Sequence, residues 1–100
     1  MASKYADGIE SHYIPGTLKP GYTDASHFRL LISVSMIRKE NMLHALEEVL
    51  VRGVSRKEAC ERYCVSQSQF SLKFRHLQMV SQNIVRMYPY IALEVQRENI

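Results

Sequence analysis

The sequence predicts an all-α fold, a small helical domain carrying a tri-helical helix-turn-helix, and three observations predict it. Apolar residues recur at helical spacing from Ser26 onward, no segment alternates with the two-residue period of a strand, and two serine-led helix starts, Ser55 and Ser66, stand eleven residues apart. At 100 residues and 46% hydrophobic content, the chain has the size of one domain and the apolar material for one core. The expected organisation is a flexible N-terminal arm over 1–23, the helix-turn-helix domain over 24–90 with the helix-turn-helix proper at 55–77, and a C-terminal tail over 91–100.

The arm is read from two Pro-Gly dipeptides, Pro15-Gly16 and Pro20-Gly21, among scattered tyrosines with no helical period. Asp24 or Ser26 stands where a cap belongs, and Phe28, Leu31 and Ile32 then follow at i, i+3, i+4. Ser33-Val34-Ser35 lowers helix propensity and predicts a break. From Arg38 to Arg52 the amphipathic pattern is clearest: Met42, Ala45, Leu46, Val49 and Leu50 share a face, and Gly53 is a natural terminator.

Ser55-Arg56-Lys57-Glu58 reads as a capping box, in which the serine hydroxyl accepts from the N–H of Glu58 and the glutamate reaches back. Ser66-Gln67-Ser68-Gln69 repeats the grammar, which leaves a short helix at Arg56–Tyr63 and a turn at Cys64-Val65. Ala59 is small where two helices cross, Val65 plugs the turn, and Phe70, Phe74 and Leu77 form the inner face of the second helix. Rotating about 100° per residue from Phe70, the outward positions are Ser68, Ser71, Leu72, Arg75 and His76, with Gln67, Gln69 and Lys73 at the flanks.

Charge is distributed unevenly. Residues 1–50 hold five basic and six acidic groups, whereas residues 51–100 hold eight basic and four acidic. A basic second half with this helical pattern points to nucleic acid. The expected DNA-binding set is Arg52, Arg56, Lys57, Gln67, Ser68, Gln69, Ser71, Lys73, Arg75 and His76: arginine and lysine for phosphates, glutamine for adenine edges. Arg62 extends the footprint. A helical module that contacts another regulator, and no DNA, is the competing expectation.

No catalytic set is visible. His12, His27 and His44 lack nucleophile partners, no glycine-rich phosphate loop occurs, and Glu47-Glu48 fall on different helix faces, so neither an enzyme nor a small-molecule substrate is expected. Cys60 and Cys64 are one helical turn apart, too close for a disulfide and wrongly spaced for zinc, so no metal or cofactor is expected. The longest apolar runs are interrupted well short of the roughly 20 residues that span a bilayer. With no apolar stretch after Lys4, a cytoplasmic, nucleoid-associated location is expected.

At these residues the sequence resembles the adhesin biosynthesis transcription regulators of enterobacteria, small proteins encoded beside fimbrial operons. The matching stretches are Pro20-Gly21, His27-Phe28, Leu30-Leu31, Ala45, Leu50-Val51, Gly53 with Ser55-Arg56-Lys57-Glu58-Ala59-Cys60, Phe70-Ser71, and Tyr88-Pro89-Tyr90, covering roughly residues 20–90. The resemblance implies a DNA-binding regulator of fimbrial genes that occupies A·T-rich repeated sites as an oligomer. It implies a phosphate or base contact for Arg56, and a packing role beneath it for Cys60. The chain departs from the pattern at His76, where a basic residue is common, and at Ser68-Gln69, where a glycine-aromatic pair is. Whether the major or minor groove is read stays open.

The second helix of the pair is expected to continue along Leu77, Val80, Ser81, Ile84 and Tyr88 until Pro89 stops it. Leu77, Ile84, Val85 and Met87 are the expected self-association residues, giving a homo-oligomer.

Overall fold

The computed structural model describes residues 13–98, of which Glu98 is described by backbone only. Four helices appear among them: α1 (Ala25–Ser35), α2 (Glu40–Leu50), α3 (Arg56–Arg62) and α4 (Gln67–Glu98). The described residues contain no strand, which agrees with the all-α expectation.

Asp24 caps α1, its carboxylate accepting from the N–H groups of Ser26 at 2.8 Å and His27 at 3.3 Å. The break predicted at Ser33–Ser35 falls just after them, at Met36, and all three residues stay in α1. Ser35 is buried, its hydroxyl donates to the Ile32 carbonyl at 2.9 Å and accepts from the Ile37 N–H at 3.2 Å, and Met36 turns left-handed at φ 69°. A serine that satisfies the backbone on both sides of the chain reversal replaces the helical ladder there.

Helix α3 closes with Cys64 left-handed at φ 57°, the Val65 N–H on the Cys60 carbonyl at 2.9 Å and the Cys64 N–H on that of Glu61 at 3.4 Å. This is the Schellman pattern, with half-buried Val65 packed against the core where it was expected to plug the turn. The serine half of each cap forms, Ser55 Oγ accepting from Glu58 N at 3.2 Å and Ser66 Oγ from Gln69 N at 3.1 Å. The reciprocal half at Ser55 does not, because the Glu58 carboxylate pairs with Arg62 at 2.8 Å instead.

The core takes one stripe from each helix. Phe28 and Leu31 meet Met42, Ala45, Leu46, Val49 and Leu50, with Ala59 and Cys60 from α3 and Phe70 and Leu77 from α4. Each large side chain buried this way contributes about 1.5–3 kcal/mol of transfer free energy.

Two expectations need correction. Residues 13–23 are not a flexible arm but a strap bound to the domain; residues 1–12 lie outside the described residues. Leu18 is buried, and its N–H and carbonyl are both taken by the Gln78 side chain at 2.7 and 2.8 Å. Ser81 Oγ donates to the Gly16 carbonyl at 2.6 Å. At the strap's other end, the N–H of Gly21 reaches the Val49 and Leu50 carbonyls at 3.0 and 2.9 Å, and that of Thr23 reaches Leu50 at 3.1 Å. The strap thus supplies the partners of the Leu50 carbonyl at the end of α2, while that of Val49 also accepts from the Gly53 N–H at 3.2 Å. Gly21 and Gly53 approach so closely there that a Cβ on either would lie 3.3 Å from the other's Cα.

The second correction concerns Pro89 and the tail. Helix α4 runs through Pro89 to Glu98. Proline removes one ladder donor, but this stretch is exposed, so water can satisfy the freed carbonyl.

Candidate functional site

The site is built where α3 and the first three turns of α4 meet. Arg56 opens α3, and its Nη1 donates to Ser71 Oγ at 3.0 Å across the two helices. Its guanidinium carbon also lies 5.6 and 5.7 Å from the ring centroids of Phe70 and Phe74. The cation is therefore held by a hydroxyl and two aromatic rings while remaining exposed. Lys57 beside it is exposed too.

Behind Arg56, Cys60 is buried, and burial pushes its thiol above the ordinary value while the Arg56 charge pulls in the opposite direction. A neutral buried thiol is a packing group, not a nucleophile. Cys64 is exposed in the turn.

Along α4, Gln67, Ser68, Gln69, Lys73 and Arg75 are exposed and Ser71 is half-buried under Arg56. Among the described residues, Arg56, Lys57, Lys73 and Arg75 enter no ion pair.

Two sequence-predicted cations are already paired with carboxylates. Arg52 lies between Glu47 and Glu48, at 3.4 and 3.3 Å, so its charge is already answered. Arg62 is likewise paired, with Glu48 at 3.3 Å and Glu58 at 2.8 Å. The two neighbouring glutamates expected on different faces both reach the Arg52 guanidinium.

His76 is exposed, as expected, but its Nε2 is engaged, hydrogen-bonding to the Ser35 carbonyl at 2.8 Å and joining α4 to the end of α1. Leu77, expected at a self-association surface, is wholly buried in the core. Its place on the helix face shared with Phe70 and Phe74 leaves it no route to a partner. Ile84, Val85 and Met87 are exposed beyond the last buried residue of α4, Ser81.

Arg38 and Lys39 had no expected role in the sequence. The α1–α2 linker carries them to the flank of α4 where Gln69 and Lys73 stand, and all four line one groove. About thirty residues separate the pairs along the chain, and only the fold brings them together.

The result is a small all-helical domain that segregates its charge. Acidic groups pair with Arg52 and Arg62 on the α2–α3 side, and unpaired cations gather beside the exposed turns of α4. The chain belongs to the family of adhesin biosynthesis transcription regulatory proteins, whose model matches residues 1–91. It is 45% identical over 67 residues to the regulatory protein FanB of Escherichia coli, covering 67% of this chain and 68% of that protein. It is 36% identical over 83 residues to the AFA-III adhesin operon regulatory protein of Escherichia coli, covering 83% and 82%. The pilus subunit operon regulatory protein PapB of Escherichia coli is 37% identical over 77 residues, covering 77% and 74%. The crystal structure of E. coli FocB superimposes with a TM-score of 0.70 at 32% identity, over 75% of this chain and 85% of that one. The family is one of transcription regulators and not of enzymes, and regulation of fimbrial operon transcription is the function it defines for this chain.

Proposed function

We propose that the chain acts by binding duplex DNA at A·T-rich repeated promoter sites of an adhesin operon, with α2, α3 and α4 used as a tri-helical helix-turn-helix. The observation that carries this reading is the cation set beside α4: Arg56 anchored on Ser71, with Lys57, Lys73 and Arg75 free of carboxylates among the described residues. These groups neutralise phosphates, and Gln67, Ser68, Gln69 and Arg75 meet base edges or the groove floor. Arg52 and His76 leave the contact set, because one is spent on glutamates and the other on α1. The protein works in the cytoplasm, at the nucleoid; no helix among the described residues is long and apolar enough to cross a membrane.

Repeated sites call for several copies, and the distal part of α4 suits that need. Beyond Ser81 the helix continues for seventeen residues to Glu98, about 25 Å at 1.5 Å per residue. Ile84, Val85, Met87, Ile91, Leu93 and Val95 are all exposed along it. An apolar helix with no partner is marginal in water. We assign this stretch to contact with a second copy, which raises the effective concentration of each chain on adjacent repeats.

Exposed Leu72 and Met79 on the outward face favour a second reading, in which α4 docks on another regulator. Footprinting on a duplex of A·T-rich repeats at several protein concentrations separates the two. The DNA reading requires protection that spreads over successive repeats; a partner module leaves the duplex unprotected.

A further inference from the structure

Helix α4 is flanked by cations on both sides, and of those on the flank away from Arg56 only Lys73 has been assigned a contact so far. By rotation of about 100° per residue, Ser71 and Lys73 lie on roughly opposite sides of α4, with Ser68, Leu72 and Arg75 between them. Arg56 occupies the Ser71 side. On the Lys73 side is a groove of about 380 Å³, lined by Arg38, Lys39, Asn41, Cys64, Gln69 and Lys73 among others.

Three cations and no carboxylate line this groove. The contrast with the groove between α1 and α2 is direct, since Glu40 and Glu47 line that one together with Arg29. None of Arg38, Lys39 and Lys73 enters an ion pair among the described residues.

The linker that carries Arg38 and Lys39 is also fixed in place. Ile37 is buried and its N–H is held by Ser35, whose own carbonyl is tied to His76, one turn along α4 from Lys73. On the other side of the two cations, Asn41 Nδ2 donates to the Tyr63 carbonyl at 3.4 Å, joining the start of α2 to the end of α3. The backbone beneath the cations is thus pinned to both helices of the site. Their placement relative to α4 is part of the folded state.

We propose that the α1–α2 linker is a second phosphate-binding edge, with Arg38, Lys39 and Lys73 holding the backbone strand opposite the one held at Arg56. This rests on the DNA reading above and adds to it the residues of the second wall. A helix seated in a groove of duplex DNA has a sugar-phosphate wall on each side, and cations on both flanks fix its register. Base-edge reading then falls to the residues between the flanks.

The test is the salt dependence of duplex binding by the double variant Arg38→Ala, Lys39→Ala, beside the parent and Arg56→Ala. Both linker residues are exposed, so the thermal melt of the variant should match that of the parent. With about 0.9 of slope per phosphate contact, the double variant should lose about 1.8 from the log–log salt slope and bind roughly 30-fold more weakly at about 0.15 M salt. The loss should be equal on A·T-rich and scrambled duplexes, and Arg38→Lys, Lys39→Arg should restore the slope. An unchanged slope in the double variant, with Arg56→Ala reducing it, overturns the second edge and leaves DNA binding intact. Inorganic phosphate shifting the Lys39 and Lys73 amides of the parent, with that same unchanged slope, would make the groove a free-anion site and also overturn the proposal. A parent that binds no duplex at about 50 mM salt defeats the DNA reading itself, a different result from either.

Discussion

The guanidinium of Arg56 is anchored across two helices by the hydroxyl of Ser71, 3.0 Å away. That bond fixes the direction of a cation on α3 relative to the exposed turns of α4. Ser71 acts here as a positioning residue. Its replacement by alanine should weaken duplex binding several-fold while leaving the salt slope unchanged, because the charge remains and only its orientation is lost. Binding isotherms at four or five salt concentrations check this. A reduced slope would mean that Ser71 itself meets the backbone.

The strap makes a prediction about stability. Gly16 has φ +94°, and a Cβ there would stand 2.9 Å from the Gln82 Cα and from the Ser81 carbonyl oxygen, both backbone atoms of α4. Gly16→Ala therefore combines a left-handed conformation with a backbone clash and should cost roughly 2–3 kcal/mol in urea denaturation. Gln78→Ala, which removes both hydrogen bonds to Leu18, should cost about 1–3 kcal/mol. A truly flexible arm would make both changes neutral.

The two thiols should behave differently. Burial raises the Cys60 pKa above its usual 9.0, so the neutral thiol is the form that the fold favours. The stability this lends is fully present below 9.0 and is lost as pH rises through the higher folded value. At pH 8, iodoacetamide should label exposed Cys64 quickly and Cys60 only after unfolding, as read by mass spectrometry. Cys64 is also a non-glycine residue at φ 57°. Cys64→Gly should raise stability by roughly 1 kcal/mol, since only glycine occupies that region without strain.

Leu77 and Ile84 lie on the same helix and should report different things. Leu77→Ala empties part of the core and should cost about 2–5 kcal/mol. Any loss of assembly in that variant follows from unfolding. Ile84→Asp together with Met87→Asp changes two exposed side chains and should leave the melt nearly intact while light scattering shows a fall to monomer. Assembly that survives the double aspartate would place the self-contact elsewhere on the chain.

Local signals in the sequence carried most of the helical layout. Asp24 or Ser26, then Ser55 and Ser66, announced helix starts, Gly53 an end, and Ser33–Ser35 a break that comes just after them, because capping and termination chemistry act within a few residues. The Phe70, Phe74, Leu77 stripe identified the inner face of α4 for the same reason. Contacts between distant segments were not legible. The Pro-Gly dipeptides looked like a mobile arm because nothing local shows that Gly21 would meet the end of α2 or that Leu18 would meet Gln78. Pro89 looked like a stop because proline removes a ladder donor and crowds the preceding turn, yet α4 continues through it to Glu98.

At the candidate site, charge and helical phase pointed to Arg56, Lys57, Lys73 and Arg75, which are exposed and enter no ion pair among the described residues. The pairing of Arg52 was not legible, because Glu47 and Glu48 converge on it only once α2 has formed. The bond of His76 to α1 was not legible, because α1 ends against it only in the fold. Arg38 and Lys39 were missed because their neighbours on α4 are thirty residues away.

The most direct test of the account is the affinity of the intact chain for a duplex of A·T-rich repeats as salt is varied, measured beside Arg56→Ala. The account predicts tight binding at low salt and a steep linear fall of log K with log salt. In Arg56→Ala the slope should be smaller by about 0.9, with weaker binding on every sequence tried. Binding by Arg56→Ala that matches the parent at all salt concentrations would contradict it.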